Sequence, residues 1–120
     1  SDNSQLQVTT IKVLQGIDNP EVESILFEKM SNTDNDYIKA SAIEALSTLP
    51  TTDRVVQEIQ NKITTQASSF ARNEMVKYLA KSIDSYPQNR QYLQSVLKDE
   101  TNKEIVKIII KTIRKNDEKK

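Results

Sequence analysis

One pattern occurs four times at nearly constant spacing: Ile11-Lys12-Val13-Leu14, Ile43-Glu44-Ala45-Leu46, Val76-Lys77-Tyr78-Leu79 and Ile110-Lys111-Thr112-Ile113. The intervals are 32, 33 and 34 residues. Each copy has an apolar residue five positions upstream: Leu6, Ile38, Ala71 and Ile105. Three positions earlier stands a helix-capping type: Asn3, Asn35, Ser68 and Asn102. A shared cap, apolar face and period describe one supersecondary unit that cannot bury its apolar face alone and stacks on its neighbours. The expected fold is all-α: a right-handed α-solenoid of stacked antiparallel hairpins, about seven helices in one domain over 1–120.

The breakers agree. Glycine occurs once and proline three times, too few for the turns of an all-β fold. Pro20 follows Asp18-Asn19 and Pro87 follows Ser85-Tyr86. Each suits a first helical turn, where the missing N–H costs little. Thr51-Thr52-Asp53 supplies cap types after Pro50, and Thr101-Asn102-Lys103-Glu104 has the form of a capping box. Helices are expected near 4–15, 20–31, 36–48, 53–66, 69–83, 87–98 and 102–115. The second, fourth and sixth align through Leu26, Ile59 and Leu93, then Met30, Ile63 and Leu97. At 100° per residue, Ile38, Ala42, Ile43, Ala45 and Leu46 cover one broad face, the helical rather than the strand period. The expected core includes these aligned residues with Leu14, Ile43, Leu46 and Leu79.

The segment from Asp34 to Leu46 resembles the inner helix of a HEAT-like repeat, through Asp34, Asp36, Ile38, Lys39, Ala42, Ala45 and Leu46. Ala71-Arg72, Met75-Val76 and Leu79 follow the same scheme without the loop aspartate. The fourth copy has Val106 at the basic position and the first has Gln7. The resemblance covers most of the chain and implies an α-solenoid acting as a binding scaffold, with no particular ligand. It also implies that Lys39 meets a loop carboxylate, Asp34 or Asp36, with a neighbouring repeat as the other source.

Composition narrows the chemistry. The chain has no cysteine and no histidine, which removes disulfides, thiol catalysis, Cys/His zinc sites and imidazole acid–base chemistry. A single glycine allows no Walker loop or dinucleotide fingerprint. Asn32, Asp34 and Asp36 are spaced like the start of an EF-hand loop. Tyr37 and Ile43 occupy the positions where that loop needs glycine and a bidentate glutamate. No catalytic residue, metal ligand or cofactor is expected. Seventeen basic and seventeen acidic residues cancel, which argues against a dedicated nucleic-acid or membrane-surface binder. The longest apolar run, Ile108-Ile109-Ile110, is far too short to span a membrane. Localisation is open.

Three surfaces are candidates for partner binding. Tyr37 and Phe70 share a register on adjacent copies and point away from the core stripe. Lys12, Glu44, Lys77 and Lys111, with Asn73 and Lys107 beside them, line the solvent ridge, which in a HEAT-like array faces the concave side. The last helix carries a basic stripe. It also carries apolar residues over more than half its circumference, with Ile108 projecting to the side of the Ile109–Ile113 face. That predicts an exposed apolar strip around Ile108, covered by another repeat, a flanking domain or a second copy, and a chain cut from something longer. The absence of a starting methionine points the same way. The function expected is a non-enzymatic protein-binding or assembly module within a larger protein. The alternatives are an accessory or spacer domain of a larger enzyme and, last, a HEAT-like nucleic-acid binder.

Overall fold

Capping asparagines and serines start most of the helices. In the computed structural model, which describes residues 2–64 and 68–119, Asn35 Oδ1 accepts from the Tyr37 and Ile38 amides at 2.9 and 3.0 Å. Asn102 Oδ1 does the same for Glu104 and Ile105 at 3.0 and 3.2 Å. Asn19 and Ser68 each satisfy one amide, of Glu21 and Phe70. Each contact pairs donors that the first turn leaves open. The helices are α1 (Asp2–Leu14), α2 (Pro20–Ser31), α3 (Asp36–Leu46), α4 (Asp53–Ile63), α5 (Ser69–Lys81), α6 (Asn89–Asp99) and α7 (Lys103–Glu118). Among the described residues there is no strand.

Several local expectations are corrected. α1 begins at Asp2, so Asn3 lies inside it. Of the two cap types at the start of α7, Asn102 rather than Thr101 is the cap: its Oδ1 accepts from the Glu104 and Ile105 amides. Thr52 sits at the start of α4 without a side-chain cap bond. α6 begins at Asn89, after Pro87. The chain before it runs through tight turns, with the Asn89 amide on Tyr86 O and the Arg90 amide on Pro87 O. Asn89 is fully buried there. It donates to Leu79 O and Ser82 Oγ, both at 3.0 Å, and accepts from Gln60 Nε2 at 2.7 Å. A buried amide with its hydrogen bonds satisfied thus fixes where α6 starts.

The odd-numbered helices touch in series, α1 to α3 to α5 to α7, and the even-numbered ones pair with them as α2–α3, α4–α5 and α6–α7. The molecule measures 44 × 29 × 20 Å. One continuous core holds Leu26, Ile43, Leu46, Ile59, Leu79 and Leu93, all at most 1% exposed. Leu14 and Leu97 are only half-buried at its margin. Leu14 belongs to a helix whose main neighbour is α3 alone, and Leu97 to the last even helix, beyond which no further one packs.

Polar ties repeat with the sequence period. Thr48 Oγ1 accepts from the Gly16 amide at 3.1 Å, Lys81 donates to Ser47 O, and Lys119 meets Asp84 at 2.7 Å. These three contacts lace the C-terminal ends of the odd helices across separations of 32 to 35 residues. Gly16, at φ +83°, ends α1 in the left-handed conformation that glycine adopts without a Cβ penalty. At the opposite ends Asn35 Nδ2 donates to Ser4 Oγ at 3.1 Å.

Candidate partner-binding groove

The caps of α3 and α5 place Tyr37 and Phe70 two residues inside equivalent helix starts. Both stay on the surface, 61% and 55% exposed, and their rings stack on each other. The centroids lie 4.9 Å apart with the planes tilted by 34°, within the range of attractive aromatic pairs. The rings therefore form one apolar platform spanning two helices, rather than each covering only its own helix start.

A shallow groove of about 330 Å³ runs along this platform. Ala40 and Ser41 give it a low wall on α3, Asn73 and Glu74 line it on α5, and Asn102 and Glu104 close it on α7. The register explains the sequence of surfaces: Tyr37 and Phe70 are followed at the next equivalent position by Glu104. Glu74 faces Lys77 at 3.4 Å and Glu104 faces Lys107 at 3.7 Å. Both partners of the second pair are more than half exposed, so water screens it and leaves the Glu104 carboxylate open to a ligand, whereas the Glu74 side chain is only 15% exposed. Aromatic faces beside carboxylates suit an apolar or cationic side chain.

Of the residues singled out in the sequence, the groove brings together Tyr37, Phe70 and Asn73. Lys12, Glu44, Lys77 and Lys111 are exposed on the odd helices, and no hydrogen bond or ion pair joins them to one another. Lys107 engages Glu104 at the groove margin. The strip expected around Ile108 does not form. Ile108 and Ile113 pack half-buried against the core, Ile105 and Ile109 are fully buried, and only Ile110 reaches 36% exposure. α5 and α6 both lie against α7 and cover the arc that a single partner would leave bare.

Lys39 makes no ion pair among the described residues, whereas Arg72, at the equivalent place, does. Its guanidinium grips Glu100 with two bonds, Nε–Oε1 at 2.5 Å and Nη2–Oε2 at 2.8 Å. Glu100 lies in the next inter-helix loop, 28 residues on, and its side chain is 1% exposed. That loop corresponds to the neighbouring-repeat source. Twenty-eight residues past Lys39 stands Ala67, which has no carboxylate; its structure lies outside the described residues. The Arg72 guanidinium, followed by the Asn102 amide, holds the Glu100 carboxyl below its ordinary value of 4.5 despite burial.

Sequence reasoning missed a second ladder on the even helices. Arg54 of α4 bonds Glu23 and Ser24 of α2 and lies over the Phe27 ring at 4.5 Å. The 31-residue separation of Glu23 and Arg54 was the available signal. Among the described residues no group of three or more carboxylates gathers as a metal site, and no helix is long and apolar enough to cross a membrane. Comparison with protein-family models, with curated proteins and with solved structures gives no match to this chain.

Proposed function

We propose that the chain is a non-enzymatic protein-binding or assembly scaffold, built as a right-handed HEAT-like stack of antiparallel hairpins. Its groove takes an extended peptide segment of a partner protein. Support for the stack comes from the series of odd-helix contacts and from polar ties recurring at one-repeat separations. The observation that carries the function is the Tyr37–Phe70 platform: two large rings on adjacent helices left in water beside a groove. Exposed aromatics of this kind are the usual anchors of protein interfaces, supplying contact area at low entropic cost. Glu74 and Glu104 favour a segment that places a basic residue next to an apolar one.

Selection from a displayed peptide library on the immobilised chain tests this. Enriched peptides should share an arginine or lysine beside an apolar residue. Their affinity should fall about tenfold or more in a Tyr37→Ala/Phe70→Ala variant. A selection without enrichment, or binders indifferent to both substitutions, overturns the reading.

A further inference from the structure

Where α5 ends against α7, the two helices and the turn after α5 enclose a cavity of about 350 Å³. Lys111 and Lys115 of α7 line it, with Lys119 just past the helix and Lys81 from the last turn of α5. Asp84 is the one carboxylate among the described residues of the lining. Four lysines against one aspartate concentrate positive charge here, in a chain whose overall charge is zero. Ala80 and Ile83 supply an apolar wall. A cleft of one sign with low-dielectric walls focuses its potential on what enters it.

Two of the four ammonium groups are engaged. Lys81 donates to Ser47 O, and Lys119 meets Asp84 at 2.7 Å. Lys111 and Lys115 make no hydrogen bond or ion pair among the described residues. The internal repeat sharpens the contrast: Lys115 stands 34 residues after Lys81, which itself reaches back 34 residues to a carbonyl, yet Lys115 makes no equivalent bond to Lys81 O. The dipole of α7 accounts for a cation at Lys115, in its last turn. It does not account for Lys111, seven residues before Glu118, because the effect fades within that turn. Asn116 adds a neutral donor. Its Oδ1 accepts from Arg90 Nη1 at 3.2 Å, which leaves its amide hydrogens unused among the described residues. Thr112 adds none, because its hydroxyl is spent on Ile108 O at 2.7 Å.

We propose that this cavity binds a phosphate monoester. Two unpartnered ammonium groups balance one dianion, and Lys111, Lys115 and Asn116 offer donors to its three terminal oxygens. A polynucleotide is a poorer occupant, because no aromatic side chain among the described residues lines the cavity for base stacking. The monoester has two sources, a small molecule or a phosphorylated side chain of a protein, with the same chemistry at the cavity. The site is separate from the aromatic groove and does not depend on it.

The test titrates the isotope-labelled chain, at fixed ionic strength, with ethyl phosphate, with phosphoserine blocked at both ends, and with the blocked serine sulfate ester. The phosphate esters should shift amides at 80–84 and 111–119, with half-saturation at about 1 mM or below. The sulfate ester, a monoanion, should bind about tenfold more weakly or worse. Lys111→Gln with Lys115→Gln should weaken phosphate binding by a similar factor, Lys111→Arg with Lys115→Arg should retain it, and Lys98→Gln with Lys103→Gln, outside the cavity, should leave it unchanged. Circular dichroism should show the first variant folded, since both side chains are exposed. The sulfate comparison needs no variant. Tighter binding of phosphoserine than of ethyl phosphate assigns the site to a phosphorylated protein, and the reverse to a small molecule. Shifts that sodium chloride alone reproduces, equal affinity for sulfate and phosphate esters, or indifference to the glutamine pair overturn the proposal. So does a single-stranded RNA oligomer that binds more tightly than either ester and shifts amides out to Lys103, which would assign the lysines to nucleic acid.

Discussion

α1 and α7 carry the same sequence pattern and stand at the two ends of the odd-helix series, yet they finish the molecule in opposite ways. α7 holds the longest isoleucine run in the chain, of which Ile109 is fully buried, Ile108 half-buried and Ile110 36% exposed. Its outward arc carries the exposed Lys103, Lys107, Lys111 and Arg114. α1 has fewer apolar residues, but Leu6 and Val13 face water. Counting apolar residues on a helix therefore does not reveal which end is open. The number of neighbours and the residues on the outward arc decide it: α7 has α5 and α6, whereas α1 has chiefly α3.

The largest effects should sit at the closed end and in the middle. Ile109→Ala removes a fully buried side chain between α7 and its neighbours, and should cost about 2–5 kcal/mol through lost transfer energy and a residual cavity. Leu46→Ala, at 1% exposure, should cost the same in urea melts at unchanged slope. Losses below about 1 kcal/mol would mean that α7 is not seated as described and that both ends are open.

The Arg72–Glu100 pair comes next, because it ties the loop before α7 to α5. Glu100→Gln should cost about 1–3 kcal/mol at neutral pH, the range for hydrogen bonds to a charged group. The folded-state pKa of Glu100 lies below the ordinary 4.5, so native protein binds this proton less readily than unfolded chain. Its stabilisation is complete above the ordinary value and declines as pH falls through the depressed one. The difference between wild type and Glu100→Gln should accordingly shrink in acid; a gap constant from neutral to acid pH would remove the ion pair from the comparison.

Much of this was legible in the sequence, for reasons particular residues make plain. The 32- to 34-residue recurrence located the odd helices, and α2 runs from Pro20 to Ser31 as its cap and proline dictate. Asn35, Ser68 and Asn102 cap where their type and position say they should. The start of α6 was hidden because it depends on Asn89 finding Gln60 and Ser82, contacts that exist only after packing. Ile108 was misread because coverage by two helices is a tertiary fact. Lys39 was misread because the pairing partner of its class lies one loop further on, where only Arg72 meets a glutamate. The register shared by Tyr37 and Phe70 was visible, whereas their mutual stacking required the distance between α3 and α5.

A smaller effect is expected in that aromatic platform. A double-mutant cycle on Tyr37→Ala and Phe70→Ala should give a coupling of about 0.5–1 kcal/mol, toward the low end for aromatic pairs because both rings are exposed. Zero coupling would mean that the rings do not meet in solution, and the groove would lose its central surface.

The smallest effect tests the comparison most directly. Val13→Lys and Ala45→Lys change equivalent positions, one 70% exposed and one fully buried. Lysine at 13 meets only water and sits near the C-terminus of α1, where a cation complements the helix dipole. It should therefore shift stability by no more than about 0.5 kcal/mol in either direction. Lysine at 45 must either bury its charge or push α3 from its neighbours, and should prevent cooperative folding. Thermal and urea melts of the two variants decide the matter. A Val13→Lys loss above about 1 kcal/mol would show that something in the folded chain already covers α1, and the contrast between the two ends would disappear.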